Sequence, residues 1–130
     1  MIVVDDSAVL ELLLRTPVAG AIQRRLSNLE GRPNAPHLVD VEVTQVLRRY
    51  AATGILDHAH GRDLLAIFGN LPIQRFPHHA LLPRVWSLRH NLTAYDAIYV
   101  ALAETLDVPL LTHDRRLARS SGHGAMIELV

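Results

Sequence analysis

The 130-residue chain has no cysteine and no lysine. Without cysteine there can be no disulfide framework and no thiolate metal site, which suits a reducing cytosol. Without lysine, all thirteen basic residues are arginine, and any mechanism that needs a catalytic lysine is excluded. An excess of one charge is missing too: thirteen acids balance thirteen bases, so a globally basic nucleic-acid binder is not indicated. No apolar run reaches about eighteen residues, so no transmembrane span is expected. The opening "MIVVDDSAVL" lacks a basic leader and carries two early acids, unlike a signal peptide. These absences lead to the expectation of a cytoplasmic protein with no membrane partner.

What remains is an ordinary globular composition, 49% hydrophobic and 20% charged. The length suits a single domain over residues 1–130, one large enough to bury roughly two thirds of its unfolded surface. The all-arginine bias has two readings. Arginine offers a planar fork suited to phosphate, and a GC-rich coding sequence gives the same composition.

Strands and helices alternate along the chain. "MIVVD" predicts a buried strand over 2–5, and "SAVLELLL" a helix over 7–14 with Ser7 as N-cap. Pro17 fits the first turn of a second helix reaching Leu29, and "EGRPNAP" (30–36) reads as a loop. Val39, Val43, Val46, Leu47 and Tyr50 make one apolar face of a helix from Leu38 to Thr53, ended by Gly54. A helix over 57–69, a strand over 73–76 and a helical stretch over 78–90 follow, with Pro83 blurring the start of the last. A helix over 94–106, a strand over 108–114, a short helix over 115–120 and a closing strand over 125–130 complete the pattern. The clearest strands are apolar throughout, which argues for an α/β fold with a parallel sheet covered on both faces.

Ligands of open parallel sheets bind at the carboxyl ends of the strands. Asp5 and Asp114 fall at such ends. In "LTAYDAIYVALAE" Asp96 heads a run, Ala97 to Ala103, that carries no charge, and Thr93 and Asp96 make a capping-box pattern. Glu42 lies beside an apolar helical stripe. Each acid has a structural alternative: Asp5, Asp96 and Asp114 as helix caps, Glu42 as a solvated helix acid. If they share one site, carboxylates about 4 Å apart repel by roughly 4 kcal/mol at an effective dielectric near 20. Such a group takes up protons or holds a cation. Hard oxygen ligands alone favour Mg²⁺ or Mn²⁺, whose natural chemistry is metal-assisted phosphodiester hydrolysis.

With these residues on the page, the chain resembles the PIN-domain ribonucleases, and among them the VapC-type toxins of bacterial toxin–antitoxin pairs. The likeness rests on "IVVDDSA" with Asp5 and Ser7, "HLVDVEVTQVLRR" with Glu42, "TAYDAIYVALAE" with Asp96 and "PLLTHDRRL" with Asp114. No single motif is specific; four in this order across the whole chain are. The resemblance implies a three-layer α/β/α sandwich around a short, mainly parallel sheet. It implies a Mg²⁺- or Mn²⁺-dependent endoribonuclease that cuts structured RNA, transfer or ribosomal. It also implies a homodimer and a VapB-type antitoxin partner. Asp5, Glu42, Asp96 and Asp114 would surround the metal, and Ser7 would orient a ligand or a water. Asp6 and Asp40 depart from the family pattern and read as caps or supporting groups. His113 reads as a loop histidine beside Asp114. Arg48, Arg49, Arg115, Arg116 and Arg119 could meet RNA backbone or form solvated faces.

Three rivals are weaker. A signalling receiver domain would use the pair Asp5 and Asp6, but it requires a late lysine that the chain lacks. A histidine metal site fails on spacing, since neither His58/His60 nor His78/His79 shares a helix face. A non-catalytic PIN-like module that only binds RNA or protein keeps the same acids, and is distinguished by indifference to Mg²⁺.

Overall fold

The computed structural model describes residues 1–130. Its elements are β1 (Val3–Val4), α1 (Asp6–Leu13), α2 (Ala19–Ser27), β2 (Asn34–Pro36), α3 (Leu38–Ala52), α4 (His58–Gly69) and β3 (Gln74–Phe76). A 3₁₀ turn (His79–Leu81) leads into α5 (Leu82–Ser87), followed by α6 (Ala94–Leu106), β4 (Leu110–Thr112), α7 (Arg115–Ala118) and β5 (Ile127–Leu129).

The five strands form one sheet in the order β3-β2-β1-β4-β5, and every pair is parallel. The chain steps outward from β1 to β2 and β3, then returns past β1 to β4 and β5. Right-handed crossovers turn this reversal into helices on opposite faces. Helix α1 gathers α2, α3 and α4, whereas α6 lies across β1, β2 and β4. The result is an α/β/α fold whose topological switch point falls between β1 and β4. Twenty-eight buried apolar residues make one core. Between α1, α2 and α4 a groove of about 1120 Å³ stays open, lined by Leu12, Leu13, Ile22, Leu26, Leu64 and Ile67 among others.

The sequence pattern and the structure part at several places. Residues 34–36, expected within a loop, are strand β2, buried between two neighbours. The Asn34 side chain donates to the Ile2 carbonyl at 3.1 Å, so a polar residue is satisfied inside the sheet. Helix α1 starts one residue early, and its cap is Asp5 rather than Ser7: the Asp5 carboxylate accepts from Ala8 N–H. Pro17 lies in a turn ahead of α2. The stretch 78–90 is not one helix, since a 3₁₀ turn precedes α5, with Pro83 in that helix's first turn. Helix α6 occupies the predicted 94–106, with residues 97–103 all buried.

Candidate active site

The carboxyl edge of the sheet is where the sequence's acids meet. Asp5 leaves the end of β1 and is 2% exposed. Both of its oxygens are engaged. Ser7 Oγ donates to Oδ1 at 2.7 Å and Ala8 N–H at 3.0 Å, while Thr112 Oγ1 donates to Oδ2. Ser7 in turn accepts from His113 N–H at 2.8 Å, so β1, α1 and the end of β4 are tied through one carboxylate. Burial nevertheless dominates, pushing the Asp5 carboxyl up to about 6.

Asp114 follows β4 and caps α7: its Oδ1 accepts from Arg116 N–H and Leu117 N–H. Asp96 sits in the first turn of α6. Thr93 Oγ1 accepts from Asp96 N–H at 3.2 Å, which is only half of the capping box. The Asp96 carboxylate faces Arg116 instead, at 3.3 Å. A helix between two parallel strands starts at the carboxyl edge, and α6 does so once α5 has carried the chain away from β3. Cap and site are therefore served by different atoms of the same residue.

Glu42 projects from α3 beside Val39 and Val43, which are wholly buried. Its Oε1 accepts from Tyr99 Oη at 2.7 Å, leaving Oε2 with no protein hydrogen bond. Burial, and then the charges of Asp6, Asp96 and Asp5, push Glu42 up to about 7. Tyr99 is held firmly protonated by burial and by Glu42. Asp6 and Asp96 are also raised, by burial first. The charges of Asp96 and Asp114 raise Asp6 further, and that of Asp114 raises Asp96, against the pull of Arg116.

The structure thus brings Asp5, Ser7, Glu42, Asp96 and Asp114 to one edge and adds Asp6, Tyr99 and Thr112. Asp40 points away and is held by Arg75 on β3 at 2.7 Å. His113 Nδ1 meets the Val130 carbonyl. Of the arginines considered, Arg116 reaches the acids, and Arg48, Arg49, Arg115 and Arg119 are exposed.

Five carboxyls with one exposed cation among them suit a hard divalent ion, and there is no competing nitrogen or sulfur ligand. In the present rotamers no three of them close on a single point. Mg²⁺ keeps several waters and binds through few direct carboxylates, so the donor set fits by chemistry once side chains turn.

Comparison with known proteins decides the family. The PIN domain profile matches residues 2–122. The chain belongs to the PIN domain family. Ribonuclease VapC12 of Mycobacterium tuberculosis is 43% identical over 130 residues, covering 100% of this chain and 99% of the relative. The solved VapBC2 of Rickettsia felis, bound to a DNA fragment from its promoter, superposes with a TM-score of 0.75 at 14% identity, over 99% and 98% of the two chains. VapC20 of M. tuberculosis, a sarcin–ricin loop cleaving toxin, gives 0.67 at 16% identity, over 95% and 97%. In this PIN domain the predicted order of acids, the parallel sheet and the switch point coincide.

Proposed function

We propose that this PIN domain is the toxin of a toxin–antitoxin pair, a divalent-metal-dependent endoribonuclease acting on structured RNA. The observation that carries the chemistry is the crowding of Asp5, Asp6, Glu42, Asp96 and Asp114 at the switch point, where Asp5, Asp6, Glu42 and Asp96 are raised by burial first and then by neighbouring acids. Full-length similarity to a relative named ribonuclease VapC12 supports the activity.

Asp96, Asp114, Glu42 and Asp5 would hold a Mg²⁺ or Mn²⁺ ion, with Asp6 adjoining. Such an ion, when bound, activates water and stabilises charge on a phosphate. The chain's own groups have separate tasks. Ser7, Thr112 and Ala8 N–H fix the Asp5 carboxylate, so it orients rather than moves. Tyr99 holds Glu42 by Oε1 and leaves Oε2 able to accept a proton. Burial of the Ala97–Ala103 segment keeps Asp96 in place while its carboxylate stays at the mouth.

A VapB-type antitoxin is the proposed partner, in line with the solved VapBC2 pair. The open groove between α1, α2 and α4 offers it apolar surface. A homodimer belongs to the same proposal, and exposed Val41, Leu82 and Trp86 offer apolar surface for one.

The test is incubation of antitoxin-free protein with total cellular RNA, with and without Mn²⁺, beside Asp96→Asn. Discrete fragments that require both the metal and Asp96 are expected. RNA binding without cleavage, indifferent to metal, would replace the enzyme with a binding module.

A further inference from the structure

Arg116 is the one cation inside the acid cleft, and its hold there is loose. One nitrogen, Nη2, lies 3.3 Å from Asp96 Oδ2 and 3.6 Å from Asp114 Oδ2. The other arginine–acid pairs of the molecule are tighter. Arg25 grips Glu128 with two nitrogens at 2.8 and 2.9 Å, and Arg75 Nε lies 2.7 and 2.9 Å from the Asp40 oxygens. Arg116 is also 76% exposed, the setting in which an ion pair contributes least.

Its backbone is fixed where its side chain is not. Arg116 N–H donates to Asp114 Oδ1 at 2.8 Å, so the first turn of α7 keeps the residue beside the cleft. That bond and the one from Leu117 N–H occupy Oδ1. Oδ2 is thus the Asp114 oxygen left for a cation, and Arg116 faces it. On Asp96 it likewise faces Oδ2.

We infer that Arg116 is a resident counter-ion of the metal site, occupying the oxygens of Asp96 and Asp114 that the metal needs and leaving when the ion arrives. The inference rests on the metal-dependent reading of the site. Two physical facts enforce the exchange. A divalent ion would be held by the same carboxylate oxygens that Arg116 now faces, so the two cations would compete for them. A divalent ion also repels the guanidinium. The ion must therefore bind against Arg116, and its apparent affinity is lowered by that competition. Once released, the guanidinium remains tethered at the cleft as a planar donor suited to a phosphate.

Mn²⁺ affinity, read from free-Mn²⁺ electron paramagnetic resonance without RNA or turnover, tests this. The wild type is compared with Arg116→Gln, Arg116→Lys and Asp96→Asn, each checked for folding by its melting curve. Arg116→Gln is expected to bind Mn²⁺ about three- to tenfold more tightly, and Arg116→Lys to stay near the wild type. Equal or weaker binding by Arg116→Gln, with wild-type binding that Asp96→Asn abolishes, would overturn the counter-ion while leaving the metal site standing. No binding by the folded wild type, or binding that Asp96→Asn does not reduce, would remove the metal site and the inference together.

Discussion

The charges of this protein are arranged in two ways. Away from the cleft, three acids each pair with one arginine: Glu128 with Arg25, Asp40 with Arg75, Glu104 with Arg84. Glu128 is accordingly held below the usual carboxylate range by Arg25. At the switch point five acids share one exposed guanidinium, and four of them are raised. The first arrangement neutralises charge in the free protein. The second leaves negative charge uncompensated, which weakens the fold locally and favours any cation that enters the cleft.

The contrast is broken most severely by neutralising an acid of the cleft. Asp96→Asn or Asp5→Asn is expected to lower RNA cleavage by about a hundredfold or more. For Asp96→Asn the melting temperature in the absence of metal is expected to be unchanged or raised, because the cap uses the Asp96 N–H and only the charge is removed; Asp5→Asn also replaces one of two accepting oxygens. Full activity in both purified variants would sink the shared site.

The pH dependence of metal-free stability separates the two regions by sign. Asp5 rises from 3.8 to about 6 and Glu42 from 4.5 to about 7, so the folded state binds more protons than the unfolded one between these values. Their contribution is fully present below about pH 4 and is lost as pH rises through 6 and 7. For Asp5, which is almost wholly buried, the loss is on the order of 3 kcal/mol. Glu128 acts oppositely, with its contribution lost as pH falls. Chemical denaturation in chelator from pH 4.5 to 7.5 should show a fall in stability that Asp5→Asn flattens and saturating Mn²⁺ removes. A slope identical in Asp5→Asn and wild type would contradict it.

Tyr99→Phe tests the bridge between core and cleft. Loss of its hydrogen bond to Glu42 is expected to cost about 1 kcal/mol of stability and to reduce cleavage roughly tenfold, read as kcat/KM. Unaltered cleavage would confine Tyr99 to packing. The smallest effect is expected outside the cleft. Arg84→Gln should change stability by less than about 1 kcal/mol and leave cleavage and Mn²⁺ affinity at wild-type levels. A large loss of activity there would mean that the two charge arrangements are not independent.

Much of this was written in local sequence, and the rest was not for identifiable reasons. Helix α6 could be bounded to the residue because Thr93 is a cap and its apolar run has no interruption. Strand ends pointed to Asp5 and Asp114 at one edge of a parallel sheet, whereas Asp96 and Glu42 joined them only through the likeness to the PIN-domain family. β2 was invisible because Asn and Pro disfavour strands, and its burial is imposed by β1 and β3 on either side. Asp6 looked like a bystander because neighbours in a chain usually point apart. Here one residue ends a strand connection and the next begins a helix, so both reach the cleft. Two omissions had a signal. Tyr99 lies three residues after Asp96, on the same helix face, and Thr112 two before Asp114, on the same side of an extended segment.

Seven consecutive buried residues behind Asp96 have a consequence for how the protein fails. Amides of such a segment open last, with the free energy of global unfolding. Asp96 is attached to that segment rather than to a loop that frays early. Heat or denaturant should therefore not disassemble the cleft ahead of the fold. The midpoint for loss of cleavage and the midpoint for loss of helical signal should coincide, and hydrogen exchange at residues 97–103 should be the slowest in the chain.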